Sequence, residues 1–284
     1  MNIAFDCYPC LVELVTRIVR QYISDPAQKH TVLKELLGII SASEHDVTAP
    51  EIAACFYKHL QEKYDVHDPY APEKKKFNQW VLQHLSHFRR AIQATPDPLR
   101  FALKLSALGN IIDFGVPASF DIDRAFSELT QQTLAIDHSA ALGSLLTRSQ
   151  TLLLIADNAG EIGLDMLLLE EIKRQFQLEL HCLVRGGPIL NDATTEDALF
   201  FGLERVAHLH HSGVMIPGTP PSRIQQSARE LLFAVDLVIS KGQGNFETLS
   251  DVNRDVFFLL RSKCQAVADY LKVNIGDSVL YYKK

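Results

Sequence analysis

The chain has 284 residues, 47% of them hydrophobic and 22% charged, with a mean hydropathy of +0.01. That is the profile of a globular chain with room for two modest domains, or one large domain with an appendage. Its 28 basic and 34 acidic residues give a net charge of −6, and no basic block exceeds Lys74-Lys75-Lys76. No nucleic-acid footprint is therefore expected. The opening MNIAFDCYPC carries an acid and two cysteines where a signal peptide needs a basic segment and an apolar core. No apolar run reaches the roughly 18 residues of a membrane span. With five cysteines, of which only Cys7 and Cys10 are close together, the chain reads as cytoplasmic, with reduced thiols and no membrane partner.

Residues 1 to about 145 hold almost no strand-like run. Helical spacing of apolar residues predicts helices at 10–22, 32–40, 49–64, 73–94, 97–112 and 122–134. Turn signals at Asp25-Pro26, Asp68-Pro69, Pro96-Asp97-Pro98 and Gly115-Val116-Pro117 separate them. From Thr151 the pattern changes. Strand-length apolar runs at 152–156, 178–184, 206–209, 237–240, 256–260 and 279–282 alternate with helical patterns at 162–176, 195–201, 222–234 and 264–271. Alternation of this kind implies a parallel sheet with helices on both faces. The expected architecture is an α/β fold, a doubly wound and mostly parallel sheet (146–284) preceded by an all-helical domain (1–145).

The chain is organised around TLLLIADNAGEIGLD, residues 151–165. A buried strand runs into Asp157-Asn158-Ala159-Gly160-Glu161 and then into a helix. Open α/β sheets place ligands beyond the carboxyl ends of their strands. Oxygen ligands there suit a hard cation, although Asp and Asn are also ordinary helix caps. The next strand ends in Arg185-Gly186-Gly187-Pro188-Ile189-Leu190-Asn191-Asp192, and a later one in Lys241-Gly242-Gln243-Gly244-Asn245. The second of these offers a cation and free backbone N–H groups as an anion nest before a helix. Three polar strand ends with complementary charge, supplying Asp157/Asn158, Asp192 and Lys241, point to one metal-phosphate crevice rather than to three unrelated caps.

DNAGE, RGGPxxND and KGQGN, in this order, resemble the damage-control phosphatases, and in particular the group with a CxxC near the N-terminus, here Cys7-Tyr8-Pro9-Cys10. Gly109-Asn110-Ile111-Ile112-Asp113 is similar to that family's Gly-Asn-x-x-Asp segment. The resemblance covers nearly the whole chain. It implies a divalent ion (Mg²⁺, Mn²⁺, Co²⁺ or Ni²⁺) held by Asp157, Asn158 and Asp192. It further implies that Lys241, Arg185, Glu161 and Asn110 face the phosphate or position the attacking water, with a small phosphorylated metabolite as substrate.

One divalent ion on a phosphoryl oxygen neutralises charge and lowers the pKa of a bound water, and cations stabilise the equatorial oxygens. Asp157 as a nucleophile is the competing mechanism, but such an Asp usually heads an Asp-x-Asp turn, and Asp157 is followed by Asn158 and Ala159. Cys7 and Cys10 are too few for a structural zinc and are expected to be buried as small hydrophobes. His208, His210 and His211 are expected in a loop or core. The alternatives are a methyltransferase and a non-enzymatic phospho-ligand-binding protein on the same crevice.

Overall fold

The computed structural model describes residues 1–108 and 133–284. Among them, five helices open the chain: α1 (Cys7–Tyr22), α2 (Pro26–Ala42), α3 (Ala49–Tyr64), α4 (Ala71–Ala94) and α5 (Pro98–Leu108). The caps explain the boundaries. At α3 the Glu51 N–H donates to Thr48 Oγ1 at 3.4 Å and the Thr48 N–H donates to Glu51 Oε2 at 3.1 Å, a reciprocal capping box. Asp25-Pro26, expected as a turn, starts α2 instead. Asp25 accepts a hydrogen bond from the Ala27 N–H at 3.0 Å, and Pro26 fills the first helical position, where its missing donor costs nothing. The expected helix at 122–134 lies almost entirely outside the described residues.

The second half holds β1 (Ile136–Asp137), α6 (Ser139–Leu146), β2 (Thr151–Ile155), α7 (Glu161–Gln175), β3 (Glu179–Val184), α8 (Thr195–Phe201), β4 (His208–His211), α9 (Gln226–Ala234), β5 (Leu237–Lys241), α10 (Gln243–Leu249), β6 (Val256–Arg261), α11 (Gln265–Leu271) and β7 (Ser278–Lys283). The strands form one seven-stranded sheet in the order β1-β7-β6-β5-β2-β3-β4. All neighbours are parallel except β6 and β7. The fold is thus the expected doubly wound, mostly parallel α/β sheet after a helical region.

Two apolar clusters cover the two faces of the sheet. Leu152, Leu154, Leu237 and Ile239 pack with α4, α5, α6 and α7 on one face. Leu153, Ile155, Leu183 and Val238 pack with α9, α10 and α11 on the other. Helices α1 to α3 enclose a third core of their own, so packing groups the helical region unevenly: α4 and α5 belong to the sheet, α1 to α3 to themselves. Ile136 and Asp137 precede the expected boundary at 145 and yet pair with β7. Among the described residues no helix is long and apolar enough to cross a membrane.

Candidate active site

From β2 the chain steps outward to β3 and β4, then returns to the opposite side of β2 as β5. Neighbouring strands diverge there, and ligands of open α/β sheets bind at such a switch point. Register brings the motifs together. Ile155 lies beside both Leu183 and Ser240, so Asp157, Arg185 and Gly242 each stand two residues past a common line.

Loops then fold the acids onto one another. The segment after β3 turns back so that Asn158 and Asp192 form an isolated antiparallel bridge. The Ala193 N–H donates to Asp157 O at 2.7 Å and the Ala159 N–H to Asn191 O at 2.8 Å. Leu190, just before these residues, has φ 47°, a left-handed conformation that non-glycine residues hold only where the surroundings fix it. Asp157, Asn158 and Asp192 all reach the wall of a crevice of about 390 Å³. The Asn158 Nδ2 donates to Asp157 Oδ2 and to Glu161 Oε2, each at 2.9 Å. Carboxylates only accept, so they fix the amide with its carbonyl oxygen turned away from both.

Arg185 does not reach the wall. Only 1% exposed, it lies behind the acids, with Nε donating to Asp192 Oδ2 at 2.6 Å. Its Nη1 donates to Thr219 Oγ1 and Asn245 Oδ1, both at 3.0 Å, and its Nη2 stands 3.7 Å from Asp157 Oδ1. Asn245, unassigned from the sequence, ties the strand ends together. Its Nδ2 donates to Ala156 O at 3.0 Å and Lys241 O at 2.8 Å. Gly244 and Asn245 lie inside α10 rather than in a nest ahead of it.

Lys241 departs from expectation. It stands one residue before Gly242, and side chains alternate along a strand, so it shares the face of Ile239 beneath α5 and α7. There it is completely buried. Its Nζ donates to Asp165 Oδ1 at 2.6 Å, to Ser106 O at 3.1 Å and to Glu161 Oε1. Three donors meet three acceptors, which leaves none for a phosphate. Glu161, also fully buried, supports Asn158 from behind instead of facing the crevice. Asn110 and Asp113 lie outside the described residues.

Among the described residues, the cations on the crevice wall are Arg17 of α1 and Lys263 after β6, neither singled out in the sequence. Gln243 Oε1 accepts from the Lys263 N–H at 2.9 Å and Gln243 Nε2 donates to Cys264 Sγ at 3.3 Å, so KGQGN holds that loop in place. Cys7 and Cys10 are not buried as expected: Cys7 is half-buried, Cys10 is exposed, and both line the crevice with Cys264. Partial desolvation by the surrounding crevice wall raises both thiols above their usual value, and neighbouring Cys264 and Glu247 add to it. His208, His210 and His211 form β4 itself. A larger cavity of about 970 Å³ opens between α2, α3 and the Gly186 and Gly213 loops, but it holds none of the candidate residues.

Burial, then the nearby Asp192 and Glu161 carboxylates, push the Asp157 carboxyl well above the usual carboxylate range. Burial also raises Glu161, against the pull of Lys241. Burial alone would lower the Lys241 ammonium, but Asp165 and Glu161 outweigh it and hold it above its ordinary value. Four buried carboxylates, Asp157, Glu161, Asp165 and Asp192, thus face two buried cations, Arg185 and Lys241.

The damage-control phosphatase ARMT1-like domain matches residues 3–279 of this chain. The chain belongs to this family. A damage-control phosphatase of Pyrococcus horikoshii is 31% identical, over all of this chain and 99% of that protein. Another, of Archaeoglobus fulgidus, is also 31% identical, with 98% of each chain covered. The crystal structure of a DUF89 family protein from Pyrococcus horikoshii superposes with a TM-score of 0.92 at 30% identity, covering both chains completely.

The site suits a divalent ion of the kind the damage-control phosphatase resemblance implies. Two carboxylates and an amide oxygen are hard donors, and an excess of buried carboxylates over buried cations is what such an ion would neutralise. Among the described residues no three His, Cys, Asp or Glu side chains form a cage. The fit therefore rests on Asp157, Asn158 and Asp192, few enough to leave room for water and a phosphate oxygen.

Proposed function

We propose that this chain is a divalent-metal-dependent phosphatase of small phosphorylated metabolites, with a metal-activated water as nucleophile. The observation that carries the proposal is the meeting of Asp157, Asn158 and Asp192 at the switch point, with buried negative charge in excess. The family relatives named phosphatases support it. When bound, the ion supplies charge neutralisation for a phosphoryl oxygen and a water of lowered pKa.

The chain's own residues do the rest. Asp157, Asn158 and Asp192 hold the ion, and Arg185 orients Asp192. Glu161 fixes the Asn158 amide. Lys263 and Arg17 draw the substrate's anionic end to a wall that also carries Asp6, Glu13 and Glu247. Anionic substrates need such cations, since the acids would otherwise repel them. The crevice volume of about 390 Å³ falls within the roughly 300–1,000 Å³ of small-molecule sites.

Turnover of an aryl phosphate with Mg²⁺, Mn²⁺, Co²⁺ and Ni²⁺ in turn, then with EDTA, tests the reading. Divalent-dependent release of phosphate is expected, abolished by the chelator. No divalent-dependent turnover of the aryl phosphate, or of a panel of sugar phosphates and related monoesters, would overturn it.

A further inference from the structure

Asp165 closes the strand-turn-helix stretch around which the sequence is organised, yet neither the metal ligands nor the crevice wall accounts for it. It is fully buried, among Leu164, Met166, Leu167 and Leu168 on α7. Its Oδ1 accepts from Ser106 Oγ and from Lys241 Nζ, each at 2.6 Å, and its Oδ2 has no hydrogen bond among the described residues. A buried ion pair is a poor device for stability, since apolar residues of like volume often serve as well or better. Its use here calls for a role in geometry.

The hydrogen bonds supply that role. Ser106 and Asp165 bring two of the three acceptors that fix the Lys241 ammonium, and both lie away from the crevice. The third acceptor is Glu161 Oε1, and the other oxygen of the same carboxylate accepts from Asn158 Nδ2. Asp165 stands one turn beyond Glu161 on α7, on the same helix face. We infer that Asp165, with Ser106, is a positioning residue: it anchors Lys241 so that Glu161 holds the Asn158 amide with its oxygen toward the crevice. The inference rests on reading Asp157, Asn158 and Asp192 as metal ligands.

The test is Mn²⁺ affinity of the full chain, followed by electron paramagnetic resonance of the free ion, in wild type, Asp165→Asn, Glu161→Gln and the double variant. Asp165→Asn is expected to bind Mn²⁺ about 10–100-fold more weakly, the size typical of groups that orient metal ligands. The double variant is expected to lose no more than the larger single one, because the two residues act through one chain of contacts. A purely structural Asp165 would lower the melting temperature and leave Mn²⁺ affinity unchanged. Affinity within threefold of wild type, or losses that multiply in the double variant, overturns the inference while leaving the metal reading intact. Failure of the wild type to bind Mn²⁺ overturns both. Should Asp165→Asn not fold, Ser106→Ala removes only one hydrogen bond to Asp165. About fivefold weaker Mn²⁺ binding is then expected, the worth of one such bond, and unchanged affinity overturns the inference.

Discussion

A Cβ on Gly242 would lie 2.0 Å from Asp157 Oδ2. The glycine after β5 is therefore the floor on which the first candidate metal ligand rests. Its φ of 78° and ψ of 164° fall in a region that is essentially closed to residues with a side chain. Gly242→Ala is expected to displace the Asp157 carboxylate and to add about 1–3 kcal/mol of backbone strain. Divalent-dependent turnover should fall by at least about tenfold, and kinetics with a circular-dichroism melt will show both effects. Normal turnover would mean that Asp157 acts from another position.

The two candidate acidic ligands should separate in stability. Asp192 neutralises the buried Arg185 through a 2.6 Å hydrogen bond, whereas Asp157 lies 3.7 Å from that guanidinium. Both Asp157→Ala and Asp192→Ala are expected to abolish divalent-dependent activity. Only Asp192→Ala strands a buried charge, at about 3–5 kcal/mol. Denaturant melts of the metal-free variants decide the point, and equal stabilities would contradict the arrangement.

Lys241→Met removes the cation between two fully buried carboxylates. A loss of about 3–5 kcal/mol is expected, together with weaker Mn²⁺ binding, because Glu161 loses its anchor. A phosphate-facing lysine would instead lower kcat and leave stability and metal affinity alone. Melting temperature and Mn²⁺ titration of this single variant separate the two roles.

The pH dependence follows from the raised carboxyls. Asp157 and Glu161 bind protons more tightly in the folded chain than in the unfolded one. Each therefore takes stability away as pH rises from the usual carboxylate range through its raised folded value. A divalent ion must displace those protons, so its stabilising effect grows with pH. The rise in melting temperature on adding Mn²⁺ should be larger at pH 8 than at pH 5. An equal or smaller rise at pH 8 would contradict the role given to Asp157.

Much of this was legible in the chain. The run Leu152–Ala156 and the strand-end motifs after it located the switch point, because buried parallel strands are uniformly apolar and their polar ends stand out. The outward Asp157, Asn158 and Asp192 were readable for the same reason. Lys241 was misplaced although the signal was present: it falls on the face of Leu237 and Ile239, which α5 and α7 cover, and alternation along the strand already turns it from the crevice. Asp165 carries no sequence signal of its own, and only packing on both sides of α7 reveals it as buried. Lys263 and Arg17 carry no local motif. They join the crevice through the folding of distant segments, which no spacing rule reports.

Ile189 stands three residues before Asp192 and is seated in the core of α1, α2 and α3, while Leu190 beside it is held at a positive φ. The first three helices thus act as a mould for the loop that carries Asp192, one of the candidate ligands. A core substitution there, such as enlargement of Val15 or Leu36, is expected to shift Ile189 and with it the loop of Asp192. If Asp192 holds an ion as proposed, its geometry is set in part by residues that stand well away from it.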